Sequence, residues 1–200
     1  MKALEHLHQN YVVGRRVSIL AAHLARLVSR GASVLDVGSG DGLLAQELLR
    51  RRPDTTIRGV DVLVRETAAI PVTTYDGRTL PFEAAAFDSV ILVDVLHHAA
   101  DPALLLREAA RVARGSILIK DHTSDRFLAV PTLRLMDRVG NARHGVALPH
   151  HYWRRQTWLE HFAALGLEVN SWENDLGLFP GPARWLFGGS LHFLAGVSPK

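Results

Sequence analysis

Apolar positions along this chain follow two alternating periods. Over residues 12–28 they fall on one side of a helical repeat, with Ile19, Leu20, Leu24 and Leu27 together, which predicts an amphipathic helix closed by Gly31. Residues 33–37 then read as a strand. Residues 41–52 return to the helical repeat through Leu43, Leu44, Leu48 and Leu49, and the β-branched stretch 55–62 is strand-like again. Further strands are predicted over 72–75, the largely apolar 89–95, 116–120, 167–172 and 190–197. Helices are predicted over 102–113, over 125–139 with a bend or new start at Pro131, and over 156–165, which Gly166 ends. Residues 177–185 read as a Pro/Gly-rich loop, and 140–153 as an irregular, His-rich stretch. Continuous apolar strands separated by helices need cover on both faces. The expected fold is therefore α/β, in three layers, around a doubly wound, mostly parallel seven-stranded sheet.

Composition narrows the class. Two hundred residues suit one domain, and 48% hydrophobic with 22% charged residues excludes disorder as the main state. The absence of cysteine excludes a zinc ribbon, an iron–sulfur cluster and a thiol nucleophile. The net charge of +3 comes from 23 basic and 20 acidic residues spread along the chain, with no polybasic arm. The run Arg50-Arg51-Arg52 precedes Pro53, where cations suit the negative pole of an ending helix. Residues 1–10 carry Glu5, His6 and His8 rather than an apolar signal core, and no uninterrupted apolar stretch is long enough to cross a membrane. A soluble, cytoplasmic protein without integral membrane association is expected.

The segment richest in chemistry is Asp36-Val37-Gly38-Ser39-Gly40-Asp41-Gly42, a buried strand running through glycines into a helix. Glycines permit a tight turn and close approach of the backbone to a ligand. The dinucleotide fingerprint fails, because its third glycine comes one position early and Leu43 stands where it belongs; the Walker A pattern fails for want of Lys-Ser/Thr. With Asp61 at the end of the second strand, Asp76-Gly77 after the third, Leu80-Pro81-Phe82, Phe87-Asp88-Ser89-Val90, Leu96-His97-His98 and Asp101-Pro102, the segment resembles motif I and its sequels in class I S-adenosylmethionine-dependent methyltransferases, in their small-molecule branch.

The resemblance covers roughly residues 33–120 and implies S-adenosylmethionine as cofactor. It puts cofactor contacts on Asp36, Gly38, Ser39, Gly40, Gly42, Val62 and Val93, the ribose hydroxyls on Asp61, and the adenine amino group near Asp76 and Gly77. Asp76-Gly77 reads equally as an ordinary turn. Arg15 or Arg16 either reaches the methionine carboxylate, as an upstream arginine does in some relatives, or lies on a solvated helix face. The single domain then divides into an N-terminal helical segment (1–31), a cofactor-binding core (32–121), a substrate-covering insertion (122–155) and a completion of the sheet (156–200).

Ligands in such sheets bind outside the carboxyl ends of the strands. His97 and His98 after the fourth strand, and His122 after the fifth, are candidate proton acceptors, needed only if the acceptor loses a proton as a hydroxyl does. Each also suits packing or cofactor contact. His144, His150 and His151 fall in the covering segment. Without His-Glu-x-x-His or an Asp-rich loop no metal is expected, and Asp94 with Asp121 is too thin a set. The motif Asn/Asp-Pro-Pro-aromatic of base and glutamine methylation is replaced by Asp94-Val95-Leu96-His97, the paired glutamates of arginine methylation are absent, and no basic, aromatic-interleaved groove is visible. A small molecule remains, with nucleic acid excluded as a partner. Trp153, Trp158, Trp172, Phe179, Trp185, Phe187 and Phe193 suggest an apolar one, or simply pack helices on the sheet. O-methylation is the favoured reaction; a cofactor-binding regulatory partner without activity and an aminopropyl transferase are the rivals.

Overall fold

The structure, a computed structural model, describes residues 2–141 and 149–200. Its strands are β1 (Ser33–Val37), β2 (Thr56–Asp61), β3 (Val72–Thr74), β4 (Phe87–Val93), β5 (Ala113–His122), β6 (Leu167–Glu173) and β7 (His192–Pro199). They form one sheet in the order β3-β2-β1-β4-β5-β7-β6. All neighbours run parallel except β7, which is antiparallel to both β5 and β6. The helices are α1 (Lys2–Leu27), α2 (Leu43–Arg51), α3 (Pro102–Val112), α4 (Ala129–Asn141), α5 (Arg155–Ala164) and α6 (Pro182–Phe187). The expected three-layer, doubly wound, mostly parallel seven-stranded fold is the one observed.

Alternation along the strands builds the layers, because successive side chains in a strand point to opposite faces. Leu35, Val90, Leu92, Ile117 and Ile119 join a core with Leu105 and Leu106 of α3 and Trp158 and Phe162 of α5. Their neighbours Val34, Ile91 and Leu118 join a second core with Leu20 and Leu24 of α1 and Leu48 of α2. Each such side chain contributes about 1.5–3 kcal/mol when fully buried. Arg52 supports the second layer by donating to the carbonyls of Ala25 and Ser29 (2.9 and 2.8 Å), so the end of the arginine run caps α1.

Several boundaries differ from the sequence pattern, and each difference has a physical cause. β5 extends to His122 rather than residue 120, because Lys120, Asp121 and His122 continue the ladder opposite Leu194, Phe193 and His192. β4 ends at Val93, since Asp94 takes a left-handed conformation (φ 57°) and breaks the extended run; Leu96–His98 is a single 3-10 turn. α4 starts at Ala129, and Pro131 lies in its first turn, where no backbone N–H is required. α6 occupies part of the expected 177–185 loop, opened by Pro182 in its first turn. α1 reaches back to Lys2, well before residue 12. No helix among the described residues is long and apolar enough to cross a membrane.

Candidate functional site

The glycine loop leaves β1 at its carboxyl end. Gly38, Gly40 and Gly42 all take positive φ (70°, 58° and 74°), the region that favours glycine. A Cβ on Gly38 would meet Val95 Cγ2 at 2.5 Å and one on Gly42 would meet Ile70 Cγ1 at 2.9 Å, so both are demanded by packing. A Cβ on Gly40 would meet nothing within 4 Å: this glycine borders open space.

Most of the loop's donors are already engaged. Gly38 and Ser39 donate to the Val60 carbonyl (2.8 and 3.2 Å), and Gly40 donates to Asp61 Oδ2 (2.8 Å). It therefore offers close approach rather than a row of N–H groups for a phosphate. That suits a cofactor without phosphate. Asp61 Oδ1 accepts from Leu63 N–H (3.0 Å), which leaves each carboxylate oxygen a further lone pair for a ribose hydroxyl. Beside them, Val62 is exposed, Val93 half-buried, and the Ser39 hydroxyl is buried without a partner. Asp36 lies beneath the loop, where burial and then the charge of Asp61 push its carboxyl up to about 7.

Asp76 is committed to a turn: its Oδ1 accepts from the N–H groups of Arg78 (2.8 Å) and Thr79 (2.7 Å). These bonds hold its carboxyl below the usual range. Gly77 (φ 78°) brings that turn against Val62, 3.2 Å from where its Cβ would stand, so Asp76 and Gly77 border the same end of the sheet as Asp61.

A second cluster gathers at the carboxyl ends of β4 and β5. The Asp94 carboxylate pairs with Lys120, which is wholly buried, and with Arg16 from α1. Burial works against its charge, but Lys120 and Arg16 hold the Asp94 carboxyl well below the usual range. Arg15 turns instead to the carbonyls of Leu178 (2.7 Å) and Gly177 (3.1 Å). His97 Nδ1 bonds Asp121 Oδ1 at 2.6 Å, and both are buried. Its Nε2 has no hydrogen-bond partner and stands 3.8 Å from Asp137 Oδ2 of α4. His122 packs edge-on to the His97 ring at 4.5 Å, with Nδ1 3.4 Å from Asp121 Oδ1 and Nε2 3.8 Å from Asp94 Oδ1.

These histidines differ electrostatically. Burial would lower His97, but Asp121 raises it. Burial and then Lys120 push His122 down, and burial and then His97 push His98 down to about 4. His192, 3.3 Å from Lys120 Nζ, is lowered by burial and then by that ammonium.

Arg16, Asp94, His97, His98, His122 and Asp137 are the polar lining of a cavity of about 570 Å³, whose apolar lining is Leu135, Met136, Phe179 and Phe187. The fold thus brings the three candidate histidines and Arg16 together. Asp61, Asp76 and the glycine loop border the neighbouring stretch of the same sheet edge. His144 lies outside the described residues. Of the aromatic set, Trp158 and Phe193 are core, Trp172 stacks on Phe193 (4.2 Å), Trp185 is exposed, and only Phe179 and Phe187 face the cavity.

Asp121, Lys120, Asp137 and Tyr152 carry interactions that sequence reasoning gave no role. The signal for the first two was present, since charges continuing the apolar run Ile117-Leu118-Ile119 into a covered sheet require partners. Asp137 and Tyr152 bond each other across α4 and the following segment, which no periodicity predicts.

Comparison with known proteins agrees with this geometry. The methyltransferase-domain family matches residues 9–171. A ubiquinone biosynthesis O-methyltransferase of Paracidovorax citrulli is 33% identical over 98 residues, covering 42% of this chain and 40% of that protein. The chain thus matches about two-fifths of the length of the curated relatives. Among solved structures, an S-adenosylmethionine-dependent methyltransferase of Thermotoga maritima, described as a possible histamine N-methyltransferase, superposes with TM-score 0.70 at 17% identity, covering 99% of this chain and 96% of that one. The Bacillus subtilis YcgJ protein superposes with TM-score 0.67 at 19% identity, covering 90% and 97%. With its seven-stranded sheet, glycine loop and Asp61 in these places, the chain belongs to the class I methyltransferases that use S-adenosylmethionine.

Proposed function

We propose that this protein methylates a hydroxyl oxygen of a small, largely apolar molecule held in the cavity between α4, α6 and the ends of β4 and β5. The observation that carries this reading is the cavity's two-sided lining. Four apolar side chains form one wall, and a cluster of imidazoles stands at the other, next to the β4 terminus. The names of the relatives in ubiquinone biosynthesis support oxygen as the acceptor atom.

When bound, S-adenosylmethionine supplies a methyl group on a sulfonium sulfur, already a good leaving group. The chain's task is then positioning, which is able to contribute about 7–11 kcal/mol. The glycine loop, Ser39, Asp61, Val62 and Val93 hold the adenosyl part, with Asp36 beneath them and Asp76 and Gly77 at the adenine end. Arg16, held by its ion pair with Asp94, offers its remaining donors to a carboxylate. Leu135, Met136, Phe179 and Phe187 exclude water around the acceptor. His122, in the cavity wall, takes the hydroxyl proton as the oxygen–carbon bond forms; His97 and His98 border the same hydroxyl.

The test is transfer of a methyl label from the cofactor to a solvent-extractable compound from a small-molecule extract. Label retained by protein or nucleic acid overturns the proposal. Cofactor binding without any transfer favours the regulatory-partner alternative.

A further inference from the structure

His97 is built like a metal ligand rather than like a packed core histidine. One ring nitrogen is held by a carboxylate, with Nδ1 2.6 Å from Asp121 Oδ1, while Nε2 is buried and without a hydrogen-bond partner. Metal-bound histidines characteristically donate their second ring N–H to a carboxylate, which fixes the tautomer and raises the basicity of the ligating nitrogen. A buried nitrogen left without a partner otherwise costs folding free energy.

What faces that nitrogen is a donor set. His97, His98 and Asp137 each present one ligand atom, all within 4.8 Å of one another. His150 Nδ1 stands 3.3 Å from Asp137 Oδ2. Bonds of about 2.0–2.1 Å at tetrahedral angles place donor atoms about 3.3 Å apart. The 3.8 Å between His97 Nε2 and Asp137 Oδ2 is near that edge length. The carboxylate has its own support, since the Tyr152 hydroxyl donates to Asp137 Oδ2. The backbone carries the segment there: His151 N–H donates to the His97 carbonyl at 2.9 Å, pinning His150 and Tyr152 over the 3-10 turn.

We propose that His97, His98 and Asp137 bind a first-row divalent transition-metal ion such as Zn²⁺ in the cavity wall, with the remaining coordination position open to water or an acceptor oxygen. Imidazoles with one carboxylate suit such ions, whereas Mg²⁺ and Ca²⁺ prefer oxygen donors. A neighbouring trio, Asp94, His97 and His122, is also compact, but Asp94 is already neutralised by Lys120 and Arg16, and a dication there would face two cations. The sequence pattern gave no metal because these donors come from a 3-10 turn and α4, at no recognisable spacing. An ion at this place would hold an acceptor oxygen beside His122. That consequence rests on the acceptor reading of the cavity; the binding itself does not.

The experiment is titration of chelator-stripped, untagged, full-length protein with Zn²⁺ and Mg²⁺ by calorimetry, and with Co²⁺ by visible absorption. The site predicts one Zn²⁺ per chain, no Mg²⁺ binding at equal concentration, and the intense Co²⁺ bands of four- or five-coordination. Asp137→Asn and His98→Gln should each weaken Zn²⁺ at least about tenfold, and Asp121→Asn, which acts through His97, by about 10–100-fold. Thermal melting confirms that the variants are folded. Absence of stoichiometric Zn²⁺ binding, a six-coordinate Co²⁺ spectrum, or unchanged affinity in folded Asp137→Asn and His98→Gln would overturn the site. S-adenosylhomocysteine titrated into the same sample separates the two readings. Its binding without Zn²⁺ removes only the metal site, and Zn²⁺ binding without it removes only the methyl-transfer reading.

Discussion

Gly40 donates its backbone N–H to Asp61 Oδ2 across 2.8 Å, tying the loop after β1 to the carboxylate that ends β2. One side chain thereby shapes the glycine turn and keeps lone pairs free for the ribose hydroxyls it is proposed to bind. Asp61→Ala removes both functions and should weaken S-adenosylhomocysteine binding by about 1–3 kcal/mol. Calorimetric titration of the folded variant checks this, and unchanged affinity would refute the assignment.

The three loop glycines are not equivalent. In Gly38→Ala a methyl group meets Val95 at 2.5 Å at a positive φ, so folding stability should fall by more than about 2 kcal/mol. Gly40→Ala carries only the backbone penalty, about 1–2 kcal/mol, because its Cβ enters open space. That space is where the adenosyl group is proposed to lie, so Gly40→Ala should lose cofactor affinity out of proportion to its stability. Paired denaturation and binding measurements on the two variants separate the effects; equal losses in both quantities would contradict the arrangement.

Asp36 predicts a pH dependence of a definite sign. Its carboxyl rises from an ordinary 3.8 to about 7 in the folded protein, chiefly by burial. The unfolded chain gives up this proton first, so the group's contribution is intact below about pH 4, declines as pH rises, and is lost above about pH 7. Asp36→Asn lacks this titration. Its stability relative to the wild type should therefore increase between pH 4 and 7 and then level off, as read from denaturant midpoints across that range. A difference independent of pH would show that Asp36 is not held protonated.

His122→Ala should slow methyl transfer by about 10²–10⁴-fold if its imidazole is the proton acceptor, with S-adenosylhomocysteine affinity unchanged. Full activity in the folded variant would eliminate it. Steady-state rates on an identified acceptor, alongside binding, make the distinction.

How much of this could be read beforehand follows from the range of the interactions. The sheet and its helices were legible because Val34/Leu35 and Val90/Ile91/Leu92 alternate between two covered faces, a local pattern. The glycine loop was legible as a turn because one short segment carries its glycines, and Asp61 follows at the next strand end. The cavity was legible only in part. His97, His98 and His122 sit at strand ends, where topology puts ligands, but Asp121 as the partner of His97 and Asp94 as the partner of Lys120 arise from strand register. Asp137 reaches His97 from a helix 40 positions later in the chain. The reach of β5 to His122 was missed for the same reason: its last rungs are set by His192 to Leu194 on β7.

The most direct measurement of the central claim is the atom that receives the methyl group. The protein would be incubated with isotope-labelled S-adenosylmethionine and a lipophilic small-molecule extract, and the solvent-extracted product examined by carbon NMR. A labelled methoxy signal that is lost or strongly reduced in His122→Ala is expected. Label on nitrogen or carbon, or confined to protein or nucleic acid, would contradict it.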